Sequence, residues 1–159
     1  MSSYFRESRN VELSLLYYLT TCFASDWSGI TTLKTFANVY AKDIAIPVVC
    51  VRLAQTTTSR QEIGADTLYN KYLCIIDIFA SSDAQRLDLA DYIKDKMKSG
   101  WVHYDHSHVS GDHTTLDRTA NGRDYIVDFV NDSKIDVYGS SDEKDKCRHS
   151  ISISVRKST

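Results

Sequence analysis

The chain has 159 residues, of which 42% are hydrophobic and 25% are charged, and its formal net charge is −2. This size and composition are typical of one globular domain with one core, which excludes a disordered or fibrous chain. The slightly acidic balance excludes a strong electrostatic attraction to a nucleic-acid backbone.

The first predicted element is a helix over residues 10–23, with Asn10 as its N-cap. One apolar stripe at helical spacing consists of Val11, Leu15, Tyr18, Leu19 and Cys22. Turn-forming residues at 25–29 end this helix. The next segment, residues 30–40, combines β-branched residues that favour a strand with an apolar spacing that suits a short helix, and both interpretations stay open.

Two strands with a polar segment between them follow. Residues 44–54 are rich in valine and isoleucine and predict a strand, and Pro47 favours an edge position or the start of that strand. Residues 55–66 are polar. Residues 67–80 are apolar on both faces, apart from Asp77, and therefore predict a central strand that is covered on both sides.

A second helix begins at a capping-box sequence, Ser82 to Gln85, and ends near Gly100. Its predicted buried stripe consists of Ala84, Leu87, Ala90, Ile93 and Met97. Lys94, Lys96 and Lys98 lie in its last turns, where a positive charge interacts favourably with the helix dipole.

The carboxyl-terminal part begins with residues 101–123, which are polar and rich in histidine, and we predict that they form a long loop. Strands are predicted at residues 124–130 and 135–138, with a turn at 131–133. Residues 147–156 alternate between apolar and polar side chains, which predicts a strand with one face in the core.

The order helix, strands, helix, strands predicts one two-layer α+β domain over residues 1–159, with a compact core over 10–155. We expect a mostly antiparallel sheet flanked by two main helices. The longest apolar run, residues 44–51, is shorter than the roughly 20 residues that cross a membrane. The four cysteines are scattered and lie in or beside apolar segments, which is typical of reduced thiols in an intracellular protein.

One cluster of residues could carry chemistry. It contains His103, His106, His108 and His113, together with Asp105 and Asp112. Imidazole and carboxylate groups are common zinc ligands, so a metal-binding module is one hypothesis. The spacing matches no named metal motif and all four histidines fall in the predicted loop, so a solvated polar loop is the favoured interpretation. No phosphate-binding glycine loop and no nucleophile elbow is present, and we predict neither a catalytic residue nor a cofactor.

Three features of the chain together resemble a known family. An amphipathic helix near the amino terminus leads to the strand at residues 46–53, a long strand runs straight into a capped helix over residues 72–90, and the chain ends in a strand pair. This arrangement, over residues 10–155, resembles the tail-terminator and tail-completion proteins of long-tailed bacteriophages. The long loop at 101–123 departs from the compact layout of that family.

The resemblance implies a structural virion protein and no enzyme. Subunits of that family associate head-to-tail into a hexameric ring at the head-proximal end of the tail, where the ring ends polymerisation of the tail tube and joins the tail to the head. The implied partners are sister copies, the tail-tube protein and the head–tail connector or neck proteins, while DNA passes through the lumen without specific binding. The implied site of assembly is the host cytoplasm.

The candidate contact segments are residues 55–66, 101–123 and 139–146. The candidate interface residues within them are Thr57, Ser59, Arg60, Glu62, Trp101, Tyr104, Arg118, Arg123, Asp142 and Lys144. Three alternatives stay open: an adjacent connector or neck protein, a metal-binding module that uses residues 103–113, and a small monomeric adaptor.

Overall fold

A computed structural model describes residues 6–34, 39–40, 44–64, 66–109 and 116–158, with only the backbone of 107–109, 116 and 117. Within these ranges the two long helices are α1, Glu7–Asp26, and α2, Asp83–Met97. The six strands are β1, Thr31–Leu33; β2, Val48–Arg60; β3, Leu68–Phe79; β4, Trp101–Val109; β5, Leu116–Ile135; and β6, Arg148–Ser158. Within the described ranges, neither helix is long and apolar enough to cross a membrane.

The six strands form one sheet in the order β1-β2-β3-β6-β5-β4. β1 runs parallel to β2, and every other neighbouring pair is antiparallel. Both helices pack on the same face of the sheet, because their buried residues share one core cluster with alternate residues of β2, β3 and β6. The predicted α+β class with a mostly antiparallel sheet is therefore confirmed.

The core forms between the apolar face of the strands and the apolar stripes of the two helices. Cys74, Ile76 and Ile78 of β3 point toward the helices and are fully buried, as are Leu15 of α1 and Ile93 of α2. β3 lies between β2 and β6, so its predicted central position is confirmed. A smaller apolar cluster covers one end of the opposite face and contains Val39, Val48, Cys50 and Phe79.

The two helices agree with the sequence to different degrees. α2 begins at the predicted N-cap, where the Oγ of Ser82 accepts a hydrogen bond from the backbone N–H of Gln85 at 3.2 Å. Its buried side is rotated from the prediction, because Leu87 is exposed and Arg86 is buried. The prediction that Asn10 caps α1 is wrong, since α1 begins at Glu7 and Asn10 lies inside it, fully buried.

The predicted loop at residues 101–123 is also wrong, because β4 and the first part of β5 form an antiparallel hairpin there. Register shifts after Val102 and His106 interrupt the alternation of side chains, so His103 and His106 both point inward although they are three residues apart. Those irregularities removed the period of two that would have indicated a strand. β5 then continues through the predicted turn at 131–133 as far as Ile135.

Three smaller features of β1, β2 and β3 relate to the sequence analysis. Within the ambiguous segment 30–40, Thr31–Leu33 forms a strand and residues 39–40 are helical, while residues 35–38 lie outside the described ranges. Pro47 directly precedes β2, as predicted for the start of a strand. Asp77 pairs with Arg52 on the neighbouring strand, with 3.3 Å between Oδ2 and Nε.

Candidate assembly surfaces and a buried histidine cluster

The hairpin of β2 and β3 extends beyond the rest of the sheet. β1 pairs with β2 only as far as Cys50, and β6 pairs with β3 only from Tyr72 onward. We call residues 55–71 the arm; its two strand segments, residues 55–60 and 68–71, pair only with each other among the described residues. The interface candidates Thr57, Ser59, Arg60 and Glu62 all lie on the arm and are exposed.

A second incomplete edge lies near the other end of the sheet. β4 pairs with β5 only between Leu116 and Asp124, and residues 125–135 pair with β6 alone in the part of the chain that the structure describes. We call residues 125–135 the β5 edge. Four of its apolar side chains are largely exposed: Tyr125 at 41%, Val127 at 53%, Phe129 at 45% and Val130 at 57%.

An unpaired apolar strand edge is a site of association, because its backbone N–H and C=O groups and its side chains can all bind another strand. Sequence reasoning missed this surface. The available signal was the segment from Tyr125 to Val130, which is apolar apart from Asp128 and therefore places apolar side chains on both faces of the strand.

Helix α2 borders the β5 edge. The Nζ of Lys94 lies 2.6 Å from the Oδ2 of Asp132, and Leu87, two turns earlier on the same side of α2, is 51% exposed. Burial would raise the pKa of Asp132, but hydrogen bonds from His149 and Lys94 outweigh it and hold that pKa below its usual range. Apolar and charged groups thus alternate along this border.

His149 is buried, and both of its ring nitrogens have hydrogen-bond partners. Its Nδ1 accepts a hydrogen bond from the guanidinium of Arg86 at 2.6 Å, so its Nε2 carries the proton and donates to Asp132. This chain of contacts joins α2, β6 and β5 beneath the β5 edge.

Two of the predicted metal ligands, His103 and His106, are buried and contact other groups. The Nδ1 of His103 lies 3.0 Å from both carboxylate oxygens of Asp124, whose pKa is raised by burial. The backbone N–H of His106 donates to the amide oxygen of Asn10 at 3.2 Å. Burial and then the positive charge of Arg118 lower the pKa of His106 to about 4.

The described residues contain no group of three or more potential metal ligands. The side chains of His108 and His113 lie outside the described ranges. Of the four histidines in the metal-binding hypothesis, only His103 and His106 can therefore be located. The imidazole of His106 contacts Asn10 of α1, with 3.3 Å between Nδ1 and Oδ1, whereas that of His103 joins β4 to β5 through Asp124.

The remaining interface candidates differ in exposure. Trp101 is 1% exposed and stacks on Tyr18 with 6.0 Å between ring centroids, so it belongs to the core and its prediction as an interface residue is wrong. A buried side chain cannot contact another subunit. Tyr104 is half-buried, and its ring packs edge-on against Tyr17 at 5.5 Å.

The charged candidates lie on the surface or partly within it. The guanidinium of Arg118, which is exposed, lies 3.8 Å from the centre of the Tyr17 ring, and Arg123 donates to the carbonyl of Ser99 at 3.1 Å. Asp142 is exposed and accepts a hydrogen bond from the backbone N–H of Lys144 at 3.0 Å, which caps the short 3-10 helix Glu143–Asp145. Lys144 is half-buried.

The sequence matches no protein-family model, and no curated protein matches it.

Proposed function

We propose that this chain is a structural virion protein that forms a hexameric ring at the head-proximal end of a phage tail. In that position the ring acts as a tail terminator or tail-completion protein: it ends polymerisation of the tail tube and joins the tail to the head. Its partners are sister copies, the tail-tube protein and the connector or neck proteins, and DNA passes through its lumen.

The observation that carries the proposal is the pair of incomplete edges at different ends of one sheet. The β5 edge exposes an apolar strand, and the arm exposes a strand with polar, β-prone side chains. A symmetric dimer uses the same surface twice, whereas a ring needs two different surfaces on each subunit that complement each other. Two separate strand edges supply those two surfaces.

The family resemblance adds the position in the particle, and the charge balance is compatible with it. A lumen through which DNA slides needs little cationic attraction, and the chain carries a net charge of −2. An adjacent head–tail connector or neck ring is the alternative within the same class, since it would use the same two surfaces.

The test is the mass of the full chain in solution, alone and mixed with the tail-tube protein of the same phage, followed by electron microscopy. We expect rings with sixfold symmetry and a central hole, located at one end of the tubes. A Phe129→Lys variant should lose the ring, because it places a charge in the apolar β5 edge.

The matched control is Asp88→Lys, a charge change at an exposed α2 position outside both surfaces. It should form rings as the unmodified chain does. A chain that stays monomeric with and without the tube protein would contradict the proposal, and a ring located away from the tube end would favour the connector alternative.

A further inference from the structure

We propose that the arm of one subunit adds as a strand to the β5 edge of the next subunit, so that the sheet continues across the interface. This inference rests on the proposed function and names the partner of its main surface, a second copy of this chain. The segments that meet are residues 55–60 of one copy and 125–135 of its neighbour.

The direction of the strands favours this pairing. β2, β3, β6 and β5 are neighbours in that order and each neighbouring pair is antiparallel, so β2 and β5 run in opposite directions within one subunit. A rotation about an axis roughly along the strands leaves their direction unchanged. The β2 strand of the next copy therefore meets β5 in the antiparallel sense, which is the more stable one.

The open part of β2 begins after Leu53. The backbone N–H of Leu53 donates to the Oε2 of Glu12 at 2.8 Å, and the other oxygen of Glu12 lies 3.1 Å from Lys34, so this position is already occupied. The β-bulge between Leu53 and Gln55 follows directly. Among the described strands, none pairs with the outer backbone edge of residues 55–60, which is about 20 Å long at about 3.4 Å per residue.

The β5 edge is long enough to receive this segment. Residues 125–135 span about 35 Å on the same scale, and β4 blocks only the part of β5 before Tyr125. Within one subunit Gln55 lies level with Asp128 across the sheet, so the ring axis must be inclined to the strands enough to shift the shorter segment past the part of β5 that β4 covers.

The side chains of the two segments complement each other. Residues 55–60 contain glutamine, three threonines and serine, which are uncharged and can place methyl groups on the exposed apolar side chains of β5. The two segments carry opposite charges, Arg60 in the arm and the exposed Asp128 in the β5 edge, while Asp132 is already paired with Lys94 and His149.

Cysteine cross-linking between two different variants tests the pairing. Cys22 and Cys147, which are partly exposed, are first replaced by serine, while Cys50 and Cys74 are buried and stay. One set of variants carries a single new cysteine in the arm, at Thr56, Thr57 or Thr58. The other set carries one in the β5 edge, at Val127, Phe129 or Val130.

The variants are mixed in pairs at equal concentration under ring-forming conditions, oxidised and analysed by mass. We expect at least one arm–edge pair to cross-link in more than half of the chains, with less than a tenth as much cross-linking when either variant is oxidised alone. Cross-linking of an edge variant with itself would overturn the pairing and indicate a symmetric dimer through β5.

The result also separates this inference from the proposed function. Rings that form normally but give no arm–edge cross-link at any of the nine combinations would overturn the pairing and leave the ring intact. Absence of rings together with absence of cross-links would overturn both.

A substitution pair gives a second readout. Val130→Glu introduces a like charge beside Asp128 and removes apolar contact, and it should weaken assembly at least tenfold. Ile63→Glu changes an equally apolar and fully exposed residue at the arm tip, outside residues 55–60, and should change assembly less than twofold. Equal effects of the two variants would contradict the pairing.

Discussion

The imidazole of His103 and the carboxylate of Asp124 form a buried pair, with 3.0 Å between Nδ1 and each carboxylate oxygen. His103 is 1% exposed and Asp124 is fully buried. The pair joins β4 to β5 beside the point where β4 begins and the open β5 edge starts. It therefore fixes where the unpaired part of β5 lies.

Replacing His103 by leucine should destabilise the fold by roughly 3 to 5 kcal/mol at neutral pH, because it leaves the buried carboxylate of Asp124 without its partner. Burial already raises the pKa of Asp124, and loss of the histidine raises it further. A buried carboxyl group without a partner destabilises the fold less when it is protonated than when it is ionised. The loss of stability should therefore shrink as the pH falls toward 4.

Urea unfolding at pH 7 and at pH 4 measures both free energies of unfolding. The double variant His103→Leu with Asp124→Leu should recover part of the stability at pH 7, because it removes the unpaired charge. The same loss at both pH values would show that Asp124 is not the group responsible.

The sequence was sufficient where local chemistry decides the structure. Ser82 caps α2 because its hydroxyl reaches the N–H of Gln85 three residues later, a contact within one turn. The alternation in β6 and the apolar run of β3 likewise depend on neighbouring residues only. Such features are readable in one stretch of chain.

The sequence was insufficient where a distant partner decides. The histidines were expected in a loop, and their strand is stabilised by α1, where Asn10 contacts both Asp105 and the backbone of His106. The β5 edge could not be predicted from the sequence for a related reason. Whether the edge beside Val127 and Phe129 is covered depends on where β4 begins, which residues 125–135 do not encode by themselves.

Stability should also fall on acidification through His106. Its pKa is about 4 in the folded chain against 6.5 ordinarily, because burial and the charges of Arg118 and Arg9 disfavour the protonated ring. A base with a lowered pKa contributes stability that is present above pH 6.5 and lost as the pH falls through 4. At about 1.4 kcal/mol per pKa unit, the loss is on the order of 3 kcal/mol.

A His106→Leu variant tests this dependence. The difference in free energy of unfolding between the unmodified chain and the variant should be largest above pH 6.5 and should decrease between pH 6.5 and 4. Denaturant titrations at several pH values in that range measure it. A difference that stays constant across the range would contradict the assignment to His106.

The N-cap of α2 offers a local test. Ser82→Ala removes the acceptor for the N–H of Gln85 and should lower the free energy of unfolding by about 1 kcal/mol. Ser82→Asp retains an acceptor and adds a negative charge at the helix start, so it should be close to neutral. If thermal unfolding shows equal losses for the two variants, Ser82 does not act through its side-chain acceptor.

Gly100 lies where the chain passes from α2 into β4, and its backbone has a φ of +76°. A Cβ at this position would lie 2.5 Å from the carbonyl oxygen of Asp124 and 2.8 Å from the Tyr125 ring. Gly100→Ala should therefore combine backbone strain with a clash against β5, and we expect the free energy of unfolding to fall by roughly 2 to 4 kcal/mol.

Gly139→Ala is the matched control, since Gly139 has a φ of +77° and nothing within 4 Å of the added Cβ, so only the strain of about 1 kcal/mol remains. Chemical unfolding of both variants separates the two contributions, and equal losses would mean that β5 yields to the added methyl group and that Gly100 does not hold the start of the β5 edge in place.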